Sequence, residues 1–402
     1  MKILIVSQYY YPEQFQINDI APELKKRGYD VTVLTGFPNY PKGEFFEGYE
    51  KLDKKSEVIN GVNIKRVKIL PRKKGALNLL LNYMSYYANA TKYAKKTKEE
   101  YDIVLCYQLS PVTIAGPAVA YAKKHKVPLL LYCLDIWPES AQAYIKSGKG
   151  LIYSIISRFS KKIYQSCDRI AVTSRPFIDY LHEKNGVLLE KMSYIPQHAD
   201  ASYLDMELGS EDNGVFDFMY AGNMGKGQVL ENIVKAVAEI KDRKDFTVHM
   251  VGDGTRKGYI EEFAKELGVE DKFVFYGNRG RDEMPLFYKK ADALLLTLRG
   301  NNFVGNTMPG KLQAYMTTGK PIFAAINGAA NEVINESKCG NCVAAGDYKG
   351  LAGLMVDYMD NPEKYCVCGE NGKAYFKKNF TLDTYVDELE KNLKSLVDKN
   401  EI

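Results

Sequence analysis

Residues 306–325, NTMPGKLQAYMTTGKPIFAA, constrain the fold more tightly than any other stretch of the chain. A polar loop turns at Pro309-Gly310, and a short helix is expected over Lys311–Thr318. Gly319 closes that helix, as a glycine just past a helix end commonly does. Lys320-Pro321 then leads into an apolar strand, Ile322–Ala325. A loop that opens a helix presents free backbone N–H groups and the positive end of a dipole, which suits a phosphate. Lys311 adds a point charge at that opening. An ordinary αβ unit with a solvated lysine would read the same way, so the local pattern leaves both readings open.

The N-terminal half has the same alternation. Lys2–Tyr9 is a continuous apolar run, the pattern of a strand covered on both faces. An amphipathic helix over Ile17–Arg27, closed by Gly28, and a strand at Val31–Leu34 complete a βαβ start of Rossmann type. Strands are expected at Val62–Leu70, Ile103–Tyr107, Pro128–Leu134 and Asp168–Ser174. Helices are expected at Ala76–Lys96, Pro111–Lys123 and Leu151–Gln165. The aromatic, turn-rich stretch Phe37–Lys54 reads as a flap or a surface loop. Pro128–Leu134 ends in Asp135-Ile-Trp137-Pro138-Glu139-Ser140. A polar group at the carboxyl end of a parallel strand faces the ligand crevice. Asp135 is therefore a candidate acid/base, although it could instead cap the next helix.

A chain of 402 residues suits two domains of roughly 200 residues each. The polar stretch Ala201–Val215 reads as a hinge, which divides the chain into residues 1–200 and 201–381. The second half opens at Asp217 with a strand that enters Ala221-Gly222-Asn223-Met224-Gly225-Lys226-Gly227. Glycines at a strand-to-helix turn let backbone approach a diphosphate. Val251-Gly252-Asp253-Gly254 and the Pro309-Gly310-Lys311 loop recur at the ends of later strands, which strengthens a reading that one glycine turn would not carry.

Pro309 to Ile322, PGKLQAYMTTGKPI, is similar to the P-x-K-x-x-E-Y-M-A-x-G-K-P-[VI] stretch of family-4 glycosyltransferases, and the likeness runs over nearly the whole chain. Tyr9-Tyr-Tyr-Pro-Glu13 resembles the first loop of a subset of that family. Asp135–Ser140 is similar to the D-x-W-P-E-S segment of the same subset, and Asp168–Ser174 to a D-x-I-x-x-x-S segment. The resemblance implies the α/β GT-B fold, two Rossmann-like domains with parallel sheets facing a central cleft. The last helix, within 382–402, is then expected to pack back on the first domain. The implied activity is transfer of a sugar from a nucleotide sugar, with retention at the anomeric carbon. The first domain takes the acceptor and the second the donor. Glu13 joins Asp135 as a catalytic candidate. Donor candidates are Gly222, Asn223, Gly225, Lys226, Gly252, Gly254, Asn278, Arg279, Asn306, Thr307, Pro309, Gly310 and Lys311. The likeness extends to bacterial surface-polysaccharide transferases of O-antigen and capsule, such as N-acetylfucosamine transferases. A UDP-linked, N-acetylated hexosamine or deoxyhexosamine is the implied donor. Many members also carry a glutamate pair that holds the donor; counted back from Gly319, those positions hold Ala314 and Asn306. An Arg and a Lys of the glycine turn are likewise replaced, by Asn223 and Gln228, with Lys226 as a substitute charge.

The net charge of +5 conceals an asymmetry. Residues 1–200 carry 30 Lys and Arg against 19 Asp and Glu, and the remainder 25 against 31. A basic first half suits an anionic partner: a membrane surface, nucleic acid or a phosphorylated acceptor. Arg72, Lys73 and Lys74 precede a helix rich in Leu, Met and Tyr, and with Trp137 they are candidates for acceptor or membrane contact. A core-facing helix with solvated ends is the alternative. No apolar run reaches the roughly 18 residues of a membrane span, and the N-terminus reads as a buried strand rather than a signal peptide. The expectation is a cytoplasmic enzyme, peripheral at the inner face of the cell membrane, that acts on a polyprenyl-diphosphate-linked saccharide. Nucleic acid is not expected as a partner. Seven cysteines, an odd number, argue against a disulfide framework. Cys339 with Cys342 and Cys366 with Cys368 have zinc-like spacing, but the first pair flanks a strand and the second lies in a helical segment. No Asp-x-Asp occurs, so neither metal nor other cofactor is expected. Two rivals are a sugar-nucleotide epimerase of the same fold and a non-catalytic sugar-nucleotide-binding protein. Four histidines outside any motif speak against the first, and Asp135 and Lys311 against the second.

Overall fold

A computed structural model describes residues 1–140, 150–209, 213–300 and 308–398. They form two compact units, residues 1–197 with 385 onward, and residues 198–384.

The first unit alternates strand and helix: β1 (Lys2–Val6), α1 (Ile17–Lys26), β2 (Asp30–Gly36), β3 (Ser56–Ile59), β4 (Val62–Val67), α2 (Ala76–Lys96), β5 (Ile103–Gln108), α3 (Ala115–His125), β6 (Leu129–Cys133), α4 (Leu151–Gln165), β7 (Arg169–Val172), α5 (Pro176–Asn185) and β8 (Met192–Tyr194). Among the described residues the sheet runs β3-β4-β2-β1-β5-β6-β7-β8. Only β3 is antiparallel, paired to β4 with Ile59 opposite Val62. Asn60 and Gly61, between them, both have positive φ, as a two-residue hairpin turn requires. β5 and β6 are buried along their whole length, which is why they read as unbroken apolar runs. α1 buries Ile17, Ile20, Ala21 and Leu24, one stripe at helical spacing. The strand expected over Lys2–Tyr9 stops at Val6, and the expected helix from Pro111 begins as a 3-10 turn, Val112–Ile114.

The second unit contains β9 (Phe216–Ala221), α6 (Glu231–Glu239), β10 (Phe246–Val251), α7 (Lys257–Glu266), β11 (Phe273–Gly277), α8 (Met284–Lys290), β12 (Ala293–Thr297), α9 (Gly310–Met316), β13 (Ile322–Ala325), α10 (Ala329–Ser337), β14 (Gly340–Val343), α11 (Tyr348–Asp360) and α12 (Cys368–Asn379). Its sheet, β11-β10-β9-β12-β13-β14 among the described residues, is parallel throughout. Phe218, Val248, Leu295 and Phe323 pack on one face and Met219, Leu294, Leu296 and Ile322 on the other. Strand order reverses between β9 and β12 here, and between β1 and β5 in the first unit. In an open α/β sheet, ligands bind outside the carboxyl ends of the strands at such a reversal.

The last helix, α13 (Leu382–Asp398), lends most of its length to the first unit. Tyr385 meets Tyr132 edge to face at 5.3 Å, Asp387 pairs with Arg27 at 2.6 Å, and Asn392 bonds Ser193 and Arg169.

Candidate functional site

The second unit brings three glycine turns together. Gly222, after β9, and Gly252, after β10, have φ of 141° and 133°. A Cβ on Gly252 would lie 2.0 Å from the Gly222 carbonyl oxygen, and one on Gly254 would lie 2.6 Å from that of Met224. Both obstacles are backbone, so only glycine fits. Gly252 N donates to Gly277 O at 2.8 Å, and Met224 N to Asp253 O at 2.8 Å. A cavity of about 350 Å³ opens beside them, lined by Gly222, Asn223, Gly252, Asp253, Asn278 and Arg279 among others. Gly252→Ala should lower the stability of this unit by about 3 kcal/mol, since it adds strain and overpacking together. A denaturant titration would detect that, and an unchanged midpoint would mean that the two backbones part freely.

Lys311, the second residue of α9, reaches into this place. α9 has only seven residues, shorter than expected, so its dipole contributes little and the lysine carries the charge. A Cβ on Gly222 would lie 2.7 Å from Lys311 Cε, so the lysine stem crosses the glycine turn. Its Nζ bonds the Tyr220 hydroxyl and, at 3.1 Å, Gln228 Oε1. The Tyr220 hydroxyl in turn donates to Asn223 O at 2.6 Å. These partners are neutral oxygens. Burial pushes the Lys311 pKa down to about 7. Gln228 is presented by Val229, whose φ of 48° is an outlier for a β-branched residue. Thr297 Oγ1 fixes the turn by donating to Gln228 O at 2.6 Å.

The other sequence candidates of this half fall as follows. Lys226, expected as the substitute charge, is exposed on the turn Lys226–Gln228; the half-buried cation is Lys311. Gly225 lies two residues past Asn223, whose amide nitrogen a Cβ there would approach to 3.0 Å. Arg279 is exposed and lies over Phe287 at 5.7 Å. Pro309 and Gly310 form the start of α9. Asn306 and Thr307 lie outside the described residues. Two supports escaped the sequence reading. The Tyr315 hydroxyl accepts from Ala221 N at 2.7 Å and donates to Ala221 O at 3.1 Å, which clamps α9 to the end of β9. His249 bridges Asp217, at 2.8 Å, and the Tyr276 hydroxyl, at 2.9 Å, beneath the Gly277-Asn278 turn.

In the first unit, Asp135 follows β6 and Ser110 follows the neighbouring β5. One carboxylate oxygen of Asp135 accepts from the Ser110 hydroxyl, and the other from Ser140 Oγ at 2.5 Å. The side chain is half-buried and held in one orientation. Trp137 does not offer its ring to a lipid or an acceptor, as its place among the membrane candidates required. It is 8% exposed, and its indole N–H donates to Ser110 Oγ at 3.0 Å. Glu13 also departs from expectation. It is 1% exposed, its Oε1 accepts from Asn39 N and Tyr40 N at 2.8 Å each, and its Oε2 from Tyr10 N at 3.3 Å. Burial pushes its pKa up to about 7 against those donors. This carboxylate fastens the first loop to the Asn39–Tyr40 turn instead of facing an acceptor. Arg72 lies over Tyr40 at 5.1 Å and Tyr83 at 5.8 Å, half-buried in an aromatic cluster, whereas Lys73 and Lys74 are exposed.

Among the described residues, no three His, Cys, Asp or Glu side chains come together as a metal site needs, and no helix is long and apolar enough to cross a membrane. Residues 15–203 match the family model described as Glycosyltransferase Family 4, and residues 208–375 the one described as Glycosyl transferases group 1. The chain is 24% identical over 338 residues to an Escherichia coli (strain K12) protein named as a colanic acid biosynthesis glycosyl transferase, WcaI, with 79% of this chain and 82% of that protein covered. It is 27% identical over 260 residues to a Pseudomonas aeruginosa protein named as a glycosyltransferase, WbjE, covering 61% and 62%. Similar solved structures include Anabaena HepE in complex with UDP, with a TM-score of 0.68 at 16% identity over 98% of this chain and 99% of that one. The lipopolysaccharide outer core galactosyltransferase WaaB, in its apo form, gives a TM-score of 0.68 at 15% identity over 98% and 99%.

Proposed function

We propose a function from one premise: the chain belongs to the family-4 glycosyltransferases and has their GT-B fold, built from two α/β units with parallel sheets. In our reading it moves a sugar from a UDP-sugar to a polyprenyl-diphosphate-linked saccharide, with retention, in the synthesis of a bacterial surface polysaccharide. The sugar we favour is an N-acetylated hexosamine or deoxyhexosamine. The names of the E. coli and P. aeruginosa relatives and the UDP held by Anabaena HepE support this reading.

The observation that carries it is Lys311, a half-buried lysine laid across Gly222 with neutral oxygens for partners. A lysine so placed is completed by an anion, and a glycine turn admits one as bulky as a diphosphate. As the bond from the sugar to the nucleotide breaks, negative charge gathers on the diphosphate, and Lys311 meets it. The counter-charge then comes from the protein, and we assign no metal to the step. In the first unit, Asp135 takes the proton of the attacking acceptor hydroxyl, held ready by Ser110 and Ser140. An epimerase of the same fold would need a cluster of acids and histidines, which the surroundings of Lys311 do not offer.

A thermal-shift screen of nucleotide sugars tests the donor, because a ligand that binds the folded state raises stability by mass action. UDP and a UDP-N-acetylated sugar should shift the midpoint most. Failure of every UDP compound to do so would overturn the donor assignment, and absence of UDP release with a diphosphate-linked lipid acceptor would overturn the acceptor.

A further inference from the structure

We infer that the first unit docks on an anionic bilayer through the exposed apolar ends of α2 and α4. This rests on the lipid-linked acceptor proposed above and names the face that meets the lipid. Leu77, Leu80, Leu81 and Met84 are exposed at the start of α2, and Leu151, Ile152 and Ile155 at the start of α4. Leu77 and Leu151 are 68% and 79% exposed. The α2 residues recur at the spacing of one helix face. The opposite face of that helix carries its buried residues, Asn82, Tyr83, Tyr86, Ala90 and Ala94. α4 likewise buries Ser160, Ile163 and Tyr164 and leaves its apolar start outward. These apolar side chains are therefore surplus to the core.

The two helices are neighbours. α2 and α4 both pack against α3, and Tyr87 of α2 meets Phe159 of α4 edge to face at 6.0 Å. They follow β4 and β6, parallel members of one sheet, so both begin at its carboxyl edge, the edge that carries Asp135. Exposed apolar surface at two helix starts on one edge of a sheet marks an interaction site.

The charge around it selects the partner. No Asp or Glu occurs between Glu57 and Glu99, a stretch with ten Lys and Arg, or between Glu139 and Asp168, a stretch with five. Lys73, Lys74, Arg158, Lys161 and Lys162 are exposed. Apolar side chains flanked by basic ones match acyl chains beneath anionic headgroups, and the acid that reaches α4, Glu139, is held by the Tyr153 and Tyr180 hydroxyls. Docked this way, the sheet edge that carries Asp135 faces the leaflet holding the acceptor.

Sedimentation with vesicles of equimolar phosphatidylglycerol and phosphatidylcholine tests the docking. The parent should co-sediment, and salt should weaken binding without abolishing it, since only the charged part is screened. A variant with Leu77→Ser, Leu80→Ser, Ile152→Ser and Ile155→Ser should partition at least about tenfold less, with an unchanged melting midpoint because all four positions are exposed. Parental binding by this variant, no binding by the parent, or equal binding of the parent to pure phosphatidylcholine would overturn the inference. So would a parent that is dimeric and a variant that is monomeric in solution, which would make a second copy the occupant. UDP release with a short-chain, water-soluble diphosphate-linked acceptor separates this from the proposed function. The variant should keep that activity. Loss of it in the parent, with vesicle binding intact, would remove the function and leave the docking.

Discussion

Asp135→Asn is expected to lower turnover by about a hundredfold or more, as loss of a general acid/base does, and to leave UDP affinity unchanged. The two side chains are nearly isosteric, and an amide oxygen still accepts from one of the flanking hydroxyls, Ser110 or Ser140. The loops after β5 and β6 therefore keep their arrangement, and what disappears is the ability to take a proton. Ser110→Ala should have a smaller effect, since it frees the carboxylate to rotate without removing it. Turnover of the Asn variant within a few-fold of the parent would sink the assignment. Asp135 would then be a brace between two loops, and the acceptor proton would leave with the diphosphate.

Lys311→Ala should weaken UDP binding by about 1.5–3 kcal/mol, the worth of a charge-assisted hydrogen bond. The pH dependence tests the same assignment independently. In the free protein burial holds the Lys311 pKa at about 7, below its ordinary 10.5. Above about pH 7 the side chain is mostly neutral, and a bound diphosphate restores its proton. Affinity should therefore fall as pH rises above about 7, and binding should take up a proton there. Calorimetry in buffers of different ionisation enthalpy measures that uptake, which should vanish in Lys311→Ala. Folding stability carries the matching sign. Between about pH 7 and 10.5 the unfolded chain holds a proton that the folded one lacks, so stability rises with pH across that window. Equal affinity in parent and variant, with no proton uptake, would make Lys311 a bystander.

The fold was legible wherever burial leaves long, uninterrupted signals. α2, α4 and β13 begin and end where the apolar pattern places them. β3 was missed because Ser56-Glu57-Val58-Ile59 is a half-exposed edge strand; the Asn60-Gly61 turn was its signal. α5 was missed because Phe177, Leu181 and Asn185 are its buried residues, too sparse a stripe to show a period. At the site, glycines could be read as turns, but their mutual contact could not. Tyr315 reaches Ala221, 94 residues away, and Lys311 lies across Gly222. Such pairings are set by strand order rather than by local pattern. Glu13 and Trp137 misled for one reason. A carboxylate and an indole in polar loops read as exposed, whereas backbone N–H groups and a serine had drawn both inward.

The closing of the first unit by α13 bears on how the protein is made. Nascent domains usually fold in the order in which they emerge. Here the unit begun first is the one completed last, because Tyr132, Arg27 and Arg169 wait for Tyr385, Asp387 and Asn392. Throughout translation of residues 198–384 the earlier sheet stays without one of its covering helices. The second unit, continuous in sequence, needs no such return and can reach its native state while the first is still open. Premature release just after residue 384 would then yield a chain whose second unit is complete and whose first unit lacks that helix, a substrate for chaperones and proteases rather than a truncated enzyme.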